Sequence, residues 1–359
     1  MKIFIGSSEI GGIINHISTE LKSKNHTVIT ASSSYLFQKY QYDINAVDYM
    51  IDSCSNKYIK NLLLFIKNHF FRLYLVVSDF KKKYFLKQFE LYIYIWSPFL
   101  RTDIGLLKFL KKNNIKIMTL FLGSEVRNYN LFVDTFNLKH VWSFPESLLF
   151  NNNLQKLSKL RAHEKYSDVI FSVPDQALEA KRPYYHIFLP IPLNDLHFNP
   201  KARKIPLVIH APTDPYKKGT DKIINAVKNL KAEGIQFHFI LINKLERPRL
   251  LKLLSIADIL IDEIVLHGPG FLSLEAMASG CLVLTKHYTE SPPDFCPPII
   301  SIDHTNIEEK LKYYILNFNE RLNILYDARK YVETYNNPDK VIQYYFDCLN
   351  NKVKPHYNC

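Results

Sequence analysis

His210-Ala211-Pro212-Thr213-Asp214-Pro215-Tyr216-Lys217-Lys218-Gly219-Thr220 and His267-Gly268-Pro269-Gly270-Phe271-Leu272-Ser273-Leu274-Glu275-Ala276-Met277-Ala278-Ser279-Gly280 are two loops, each feeding a helix, and their reading decides the fold. The first follows the apolar run Ile205 to Ile209, which reads as a buried parallel strand. It precedes Asp221 to Leu230, where Ile223, Ile224, Val227 and Leu230 fall at helical spacing. Lys218 and Gly219 are therefore expected at a helix N-terminus. In the second loop two glycines and a proline precede Phe271, after which Leu274, Met277 and Ala278 mark one helix face. Gly280 ends that helix before the strand Cys281 to Leu284, so Glu275 lies early in it.

Helix N-termini offer unpaired backbone N–H groups and the positive end of the helix dipole. Two of them, one beside a lysine and one after a glycine-rich approach, suit a diphosphate. Glu275 adds a carboxylate able to accept hydrogen bonds from two neighbouring hydroxyls, the common way to hold a ribose 2',3'-diol. Phosphate donors with a diol acceptor point to a nucleotide. Taken singly, Lys218 reads more readily as a solvated surface charge and Glu275 as a partly exposed helix acid. Their joint placement favours the ligand.

The Lys-Gly-Thr helix start, Ala257-Asp258 before the apolar strand Ile259 to Asp262, and Gly-x-Gly-x5-Ala-Met-Ala-x-Gly from Gly268 with Glu275 before the alanine form a fairly specific pattern. Over Ile205 to Thr285 it resembles the donor domain of retaining glycosyltransferases of the GT-B fold, family 4-like, the group 1 glycosyl transferases. The resemblance implies an α/β protein of two Rossmann-like domains facing a central cleft, with a nucleotide-sugar donor, Lys218 against the diphosphate and Glu275 on the ribose. It extends the donor site to Thr213, Lys217, Gly219, Gly268, Gly270, Phe271, Leu272 and Ser273, and Asn243, just after the strand Phe237 to Ile242, falls where a base could rest. Two positions depart from the family pattern. His267 stands where the first of two paired glutamates faces the sugar, and Thr213 stands where an arginine precedes the lysine. His267 and Glu275 are thus the catalytic candidates, and the missing positive charge is expected from Lys217 or a basic residue elsewhere.

A chain of 359 residues, 47% hydrophobic, can bury sizeable cores and reads as two domains. We expect residues 1–190 as an acceptor domain, 191–205 as a linker marked by Pro190, Pro192, Pro200 and Pro206, 206–338 as the donor domain, and 339–359 as a helix crossing back plus a tail. In the first domain, strand Lys2 to Ile5, the Gly6 to Gly12 loop, a helical pattern through Ile13, Ile14, Ile17 and Leu21, and strand Thr27 to Thr30 make a βαβ opening without a Gly-x-Gly-x-x-Gly fingerprint. By the resemblance Gly11 and Gly12 approach the donor or acceptor; the residues alone read more readily as a tight strand-to-helix turn. Strands are expected at Leu91 to Ile95, Lys116 to Leu122, Val169 to Val173 and Ile187 to Leu189. Gly123-Ser124-Glu125-Val126-Arg127, beyond a strand end, resembles the His-Gly-Ser-Asp-x-Arg loop of related transferases, which makes Ser124, Glu125 and Arg127 the acceptor-binding candidates. A salt bridge of Arg127 to Glu125 or to a neighbouring helix is the plain alternative.

The net charge of +12 favours anionic partners. Between Lys57 and Lys87 eight basic residues face a single acid, Asp79, interleaved with aromatics such as Tyr58, Phe65, Phe71, Phe80 and Tyr84. Such a segment either lies on an anionic membrane surface or is an ordinary helical region with a solvated basic face. No nucleic-acid motif accompanies the charge. Five cysteines, an odd count without a Cys-x-x-Cys pair, favour a reducing, cytoplasmic setting, and the basic-aromatic segment adds a peripheral place on the inner face of the cell membrane. The span Leu62 to Val77 is interrupted by Lys67, Asn68, His69 and Arg72, so none is expected to cross a membrane.

No Asp-x-Asp occurs, so neither a metal nor a cofactor is expected. The reading is a metal-independent, retaining glycosyltransferase that moves sugar to a glycan or lipid-linked acceptor in surface polysaccharide or glycolipid synthesis. The alternatives are a catalytically silent GT-B protein that binds nucleotide or glycan, and a nucleotide-sugar epimerase.

Overall fold

The computed structural model describes residues 1–33, 41–46, 49, 54, 56–138, 153–287 and 295–357; Cys359 lies outside them. The chain forms two compact units, Met1–Ile187 with Ile342–Cys359, and Phe188–Val341.

The first unit is built on seven parallel strands, β1 (Lys2–Ser7), β2 (Thr27–Ser32), β3 (Ile44–Asn45), β4 (Leu91–Ile95), β5 (Lys116–Leu120), β6 (Val169–Ser172) and β7 (Tyr185–His186), in the order β3-β2-β1-β4-β5-β6-β7. That is a doubly wound order. β1 and β4 are buried nearly throughout, as strands covered on both faces must be. Phe4 lies at the centre of an aromatic cluster, its ring centroid 4.8 Å from Phe99, 5.1 Å from Tyr92 and 5.4 Å from Phe89. The described helices are α1 (Ile13–Ser23), α2 (Lys57–His69), α3 (Phe71–Leu86), α4 (Asp103–Lys112), α5 (Tyr129–Thr135) and α6 (Asn153–Tyr166). The last strand sits earlier than Ile187 to Leu189: Ile187 still donates to Ser172, and then Pro190 and Pro192, which lack the N–H a ladder needs, carry the chain away. From the C-terminal segment Tyr345 packs on Phe171 at 4.5 Å, and the Tyr344 hydroxyl donates to the His186 carbonyl.

The second unit holds five parallel strands, β8 (Leu207–His210), β9 (His238–Leu241), β10 (Ile259–Ile261), β11 (Leu282–Thr285) and β12 (Ile300–Ser301), in the order β12-β11-β10-β8-β9. Its helices are α7 (Pro215–Lys218), α8 (Thr220–Ala232), α9 (Arg247–Leu254), α10 (Phe271–Ser279), α11 (Ile307–Leu316) and α12 (Phe318–Tyr335); α13 (Pro338–Leu349) follows. Ile191 and Leu196, from the proline-marked stretch, are buried in this unit's core beside Leu260, Met277 and Val332.

The same register device, an acid just before a strand clasping its neighbour, occurs in both sheets, and in the first Glu90, just before β4, also accepts the Lys2 N–H of β1 at 2.6 Å. Asp168, just before β6, accepts the Ile117 N–H of β5 at 2.7 Å and pairs with Lys111. Asp258, just before β10, accepts the Leu207 N–H of β8 at 2.7 Å and the Arg203 Nε–H at 2.8 Å.

α10 stops at Gly280, whose φ of 79° is left-handed and whose missing Cβ would lie 2.8 Å from the Pro200 nitrogen and 2.9 Å from the Asn199 carbonyl carbon. Gly280→Ala should therefore cost about 2–4 kcal/mol, from the left-handed backbone and from contact with atoms that cannot rotate away. The check is a urea titration, with a lower midpoint at unchanged slope expected. An unchanged midpoint would mean that the 199–200 backbone yields.

Candidate functional site

In the second unit the carboxyl ends of β8 and β10 meet the starts of α8 and α10. His210 ends β8 fully buried. Its Nδ1–H donates to the Ile261 carbonyl at 2.8 Å, which leaves Nε2 to accept from the Thr220 hydroxyl at 2.8 Å. Burial, with the Lys218 charge nearby, lowers the ring to about 4, so it is neutral at ordinary pH. Asp262, 1% exposed, follows β10 and binds both the Lys218 ammonium and the Ser273 hydroxyl, the latter at 2.6 Å. Burial alone would raise its pKa; the charge of Lys218 and the bonds from Lys218 and Ser273 outweigh it and hold the carboxyl below the usual range. Lys218, disfavoured as a cation by burial, is likewise raised by Asp262 and Glu263.

Lys218 is not itself the first residue of the long helix. Asp214 caps a single turn with Pro215 at its start, which ends at Lys218, and Gly219 at φ 78° is both the end of that turn and the cap of α8. The left-handed glycine lets two helices abut, and it turns Lys218 toward β10.

Glu275 is buried, 1% exposed, and its carboxylate bonds the Arg247 guanidinium. Burial pushes its pKa up to about 7 even against that charge. Arg247 is the residue that sequence reading missed, a basic group from elsewhere that supplies positive charge near Glu275. It opens α9, where a cation opposes the helix dipole, and that misplacement was the signal available in the sequence.

The loop between Glu263 and Gly270 runs beside the end of β11. Gly268 N–H donates to Lys286, Lys286 N–H donates to Glu263, and a Cβ at Gly268 would come within 2.9 Å of the Thr285 hydroxyl. His267 is half-buried on this loop. Gly270 caps α10 in extended conformation with open space where a Cβ would be. Phe271 and Leu272 pack against the unit's core, so what they present to the site is backbone N–H.

The remaining donor candidates are more dispersed. Thr213 and Asn243 are exposed, and Lys217 pairs with Asp214 at 3.0 Å. In the first unit Gly11 and Gly12 are both left-handed, at φ 64° and 92°, and lead into α1. The Glu9 carboxylate folds over that helix start, accepting from Ile14 N–H and Asn15 N–H at 3.4 Å and from the Tyr42 hydroxyl at 2.9 Å. The acceptor candidates form internal bonds. Arg127 is buried on Asp175 at 2.9 Å, not on Glu125; Glu125, also buried, accepts the Leu122 N–H; the hydroxyls of Ser124 and Tyr129 are 2.6 Å apart. Among the described residues no cluster of three or more His, Cys, Asp or Glu side chains could hold a metal ion.

No family model matches the sequence, and no curated protein matches it either. Solved structures do match. Sucrose-phosphate synthase from Thermosynechococcus elongatus aligns at 10% identity over 98% of this chain and 99% of its own, with a TM-score of 0.61. WaaG, a glycosyltransferase involved in lipopolysaccharide biosynthesis, aligns at 15% identity over 96% of this chain and 99% of its own, with a TM-score of 0.51. UDP-GlcNAc 2-epimerase from Neisseria meningitidis, bound to UDP-GlcNAc, aligns at 12% identity over 98% and 100%, with a TM-score of 0.51. With its seven- and five-stranded parallel sheets, the chain has the GT-B fold.

Proposed function

We propose that the protein is a glycosyltransferase that takes a sugar from a nucleotide-sugar donor and passes it to a glycan or lipid-linked acceptor, as in surface polysaccharide or glycolipid synthesis. The observation that carries this reading is the buried network of Lys218, Asp262 and Ser273 between the starts of α8 and α10, with Glu275 and Arg247 one turn further along. Lys218 and the first N–H groups of α10 meet the diphosphate, Arg247 supplies the second cation, and the ionised Glu275 carboxylate accepts the two ribose hydroxyls.

In this reading His267, on the loop before α10, contacts the sugar ring. In a retaining transfer the acceptor oxygen bonds the anomeric carbon on the face from which the diphosphate leaves, and the acceptor proton passes to the departing phosphate oxygen. The fixed lysine and helix N–H groups stabilise the charge that develops there, so the chemistry asks for neither a protein nucleophile nor a metal. UDP is the first nucleotide to try, because the matching epimerase was solved with UDP-GlcNAc.

Calorimetric titration with UDP, GDP, ADP and CMP, followed by turnover of the labelled sugar nucleotide with membrane extract, tests the reading. Binding of one nucleotide with transfer to an extractable acceptor is expected. Isomerised donor without transfer would establish the epimerase, which shares the fold, and binding without either would establish a silent binder. If the folded protein binds none of the four, the donor site is wrong.

A further inference from the structure

More than half of the exposed large apolar side chains among the described residues fall between Tyr58 and Tyr84, on α2, on α3 and at Phe70 between them, in the first unit. The two helices pack on each other through Leu63, Ile66, Tyr74 and Leu75. α3 has an inner face of Tyr74, Ser78, Lys82 and Leu86, all buried. On the opposite face Leu73, Val76, Val77, Phe80 and Tyr84 recur at three- and four-residue spacing and lie open, Phe80 and Tyr84 at 75% and 76% exposure. α2 has no buried residue at all, and Tyr58, Leu62 and Phe65 share one of its faces, Tyr58 at 86% exposure. A helix apolar on both sides is normally covered on both.

The charges indicate what covers it. By helical position Arg72, Lys81, Lys83 and Lys87 border the apolar stripe of α3 and Lys57 that of α2, while Lys60 and Lys67 fall on the other side of α2; the ammonium groups of Lys67 and Lys81 lie 6.0 Å and 5.9 Å from the Tyr74 and Tyr49 ring centres. The one acid in the segment, Asp79, is held by Arg101 at 2.8 Å. Lys82 does not belong to this basic face: its ammonium donates to the Ala46 carbonyl at 2.7 Å and lies 4.6 Å from the Phe99 ring centre. No described helix is long and apolar enough to cross a membrane. Two short helices with outward rings and aliphatic side chains, flanked by flexible cations, match the chemistry of an anionic phospholipid surface, with rings among the headgroups and ammonium groups on lipid phosphates.

We propose that the α2–α3 hairpin docks the protein on an anionic bilayer through Tyr58, Leu62, Phe65, Leu73, Phe80 and Tyr84. The proposal does not depend on the donor site, and its test reads lipid binding alone. Purified full-length protein is sedimented with vesicles of phosphatidylcholine, with and without phosphatidylglycerol. Binding to the phosphatidylglycerol vesicles that weakens as salt rises is expected. F80S/Y84S, which alters only outward side chains, should abolish detectable binding. K81E/K83E should lower affinity at least about 25-fold, from about fivefold per lysine lost. Circular dichroism spectra and urea midpoints of both variants should match the parent, showing that the fold is kept. Equal binding to neutral vesicles, no vesicle binding by the folded parent, or undiminished binding by F80S/Y84S would each overturn the proposal. So would a lipid-free dimer that F80S/Y84S dissolves, since the face would then belong to a second copy of the chain.

Discussion

Lys218→Ala should lower stability by about 3–5 kcal/mol as well as abolish nucleotide binding. The substitution leaves the Asp262 carboxylate, 1% exposed, without its cation, and an uncompensated buried charge is among the costliest single defects. Losing a surface charge that merely touched ligand would cost almost nothing. Lys218→Ala/Asp262→Ala removes both charges and should recover most of the stability while nucleotide binding stays lost. A double-mutant cycle by urea denaturation, run beside calorimetry, separates the two roles of the lysine. If the double variant binds nucleotide as the parent does, Lys218 belongs to the fold alone. The pH dependence has a definite sign. Asp262 is held below its unfolded value, so its contribution is present above the unfolded pKa and is lost as pH falls through the folded one.

Nucleotide affinity should rise with pH through about 7 and flatten in Glu275→Gln. Burial lifts the Glu275 carboxyl to about 7 against the pull of Arg247, while a free glutamate titrates near 4.3. Only the ionised form accepts two hydroxyls, so a ribose bound there favours deprotonation. Over the two pH units below 7 the effect approaches about 100-fold. Stability runs the other way. A raised carboxyl stabilises the fold below the unfolded pKa, and that contribution is lost as pH climbs to about 7. Opposite slopes for binding and stability, both removed by Glu275→Gln, are the signature to look for. A flat binding profile in the parent would place the diol elsewhere.

Much of this architecture is legible in the sequence, because parallel strands buried on both faces leave unmistakable apolar runs. Leu91 to Ile95 and Ile259 to Ile261 are strands over those residues. Glu275 early in a helix that Gly280 ends follows from local chemistry alone. What escapes is partnership across long separations. Lys218 reads as an exposed cation until β10 delivers Asp262, 44 residues on, and Arg127 as an acceptor ligand until Asp175 occupies it. Arg247 sits 28 residues from Glu275 with no periodicity to link them. The one-turn helix at Pro215 is too short for a pattern, although Asp214-Pro215 is a good capping pair. Lys82 shows the same limit within a helix: counting charges along 57–87 places it on the basic face, and only the packed helix turns it inward.

The paired aspartates before β6 and β10 bear on how the chain finds its strand alignment. Antiparallel neighbours inherit their alignment from the turn that joins them, whereas parallel neighbours are joined by long crossovers that leave it open. In both units an aspartate meets an N–H in the first two residues of a strand, 51 residues earlier, and returns its own N–H to the same residue. A slip by one position would break that two-way clasp and strip each carboxylate of its lysine or arginine as well. Each sheet thus carries its own alignment mark, and neither needs the other to pair correctly.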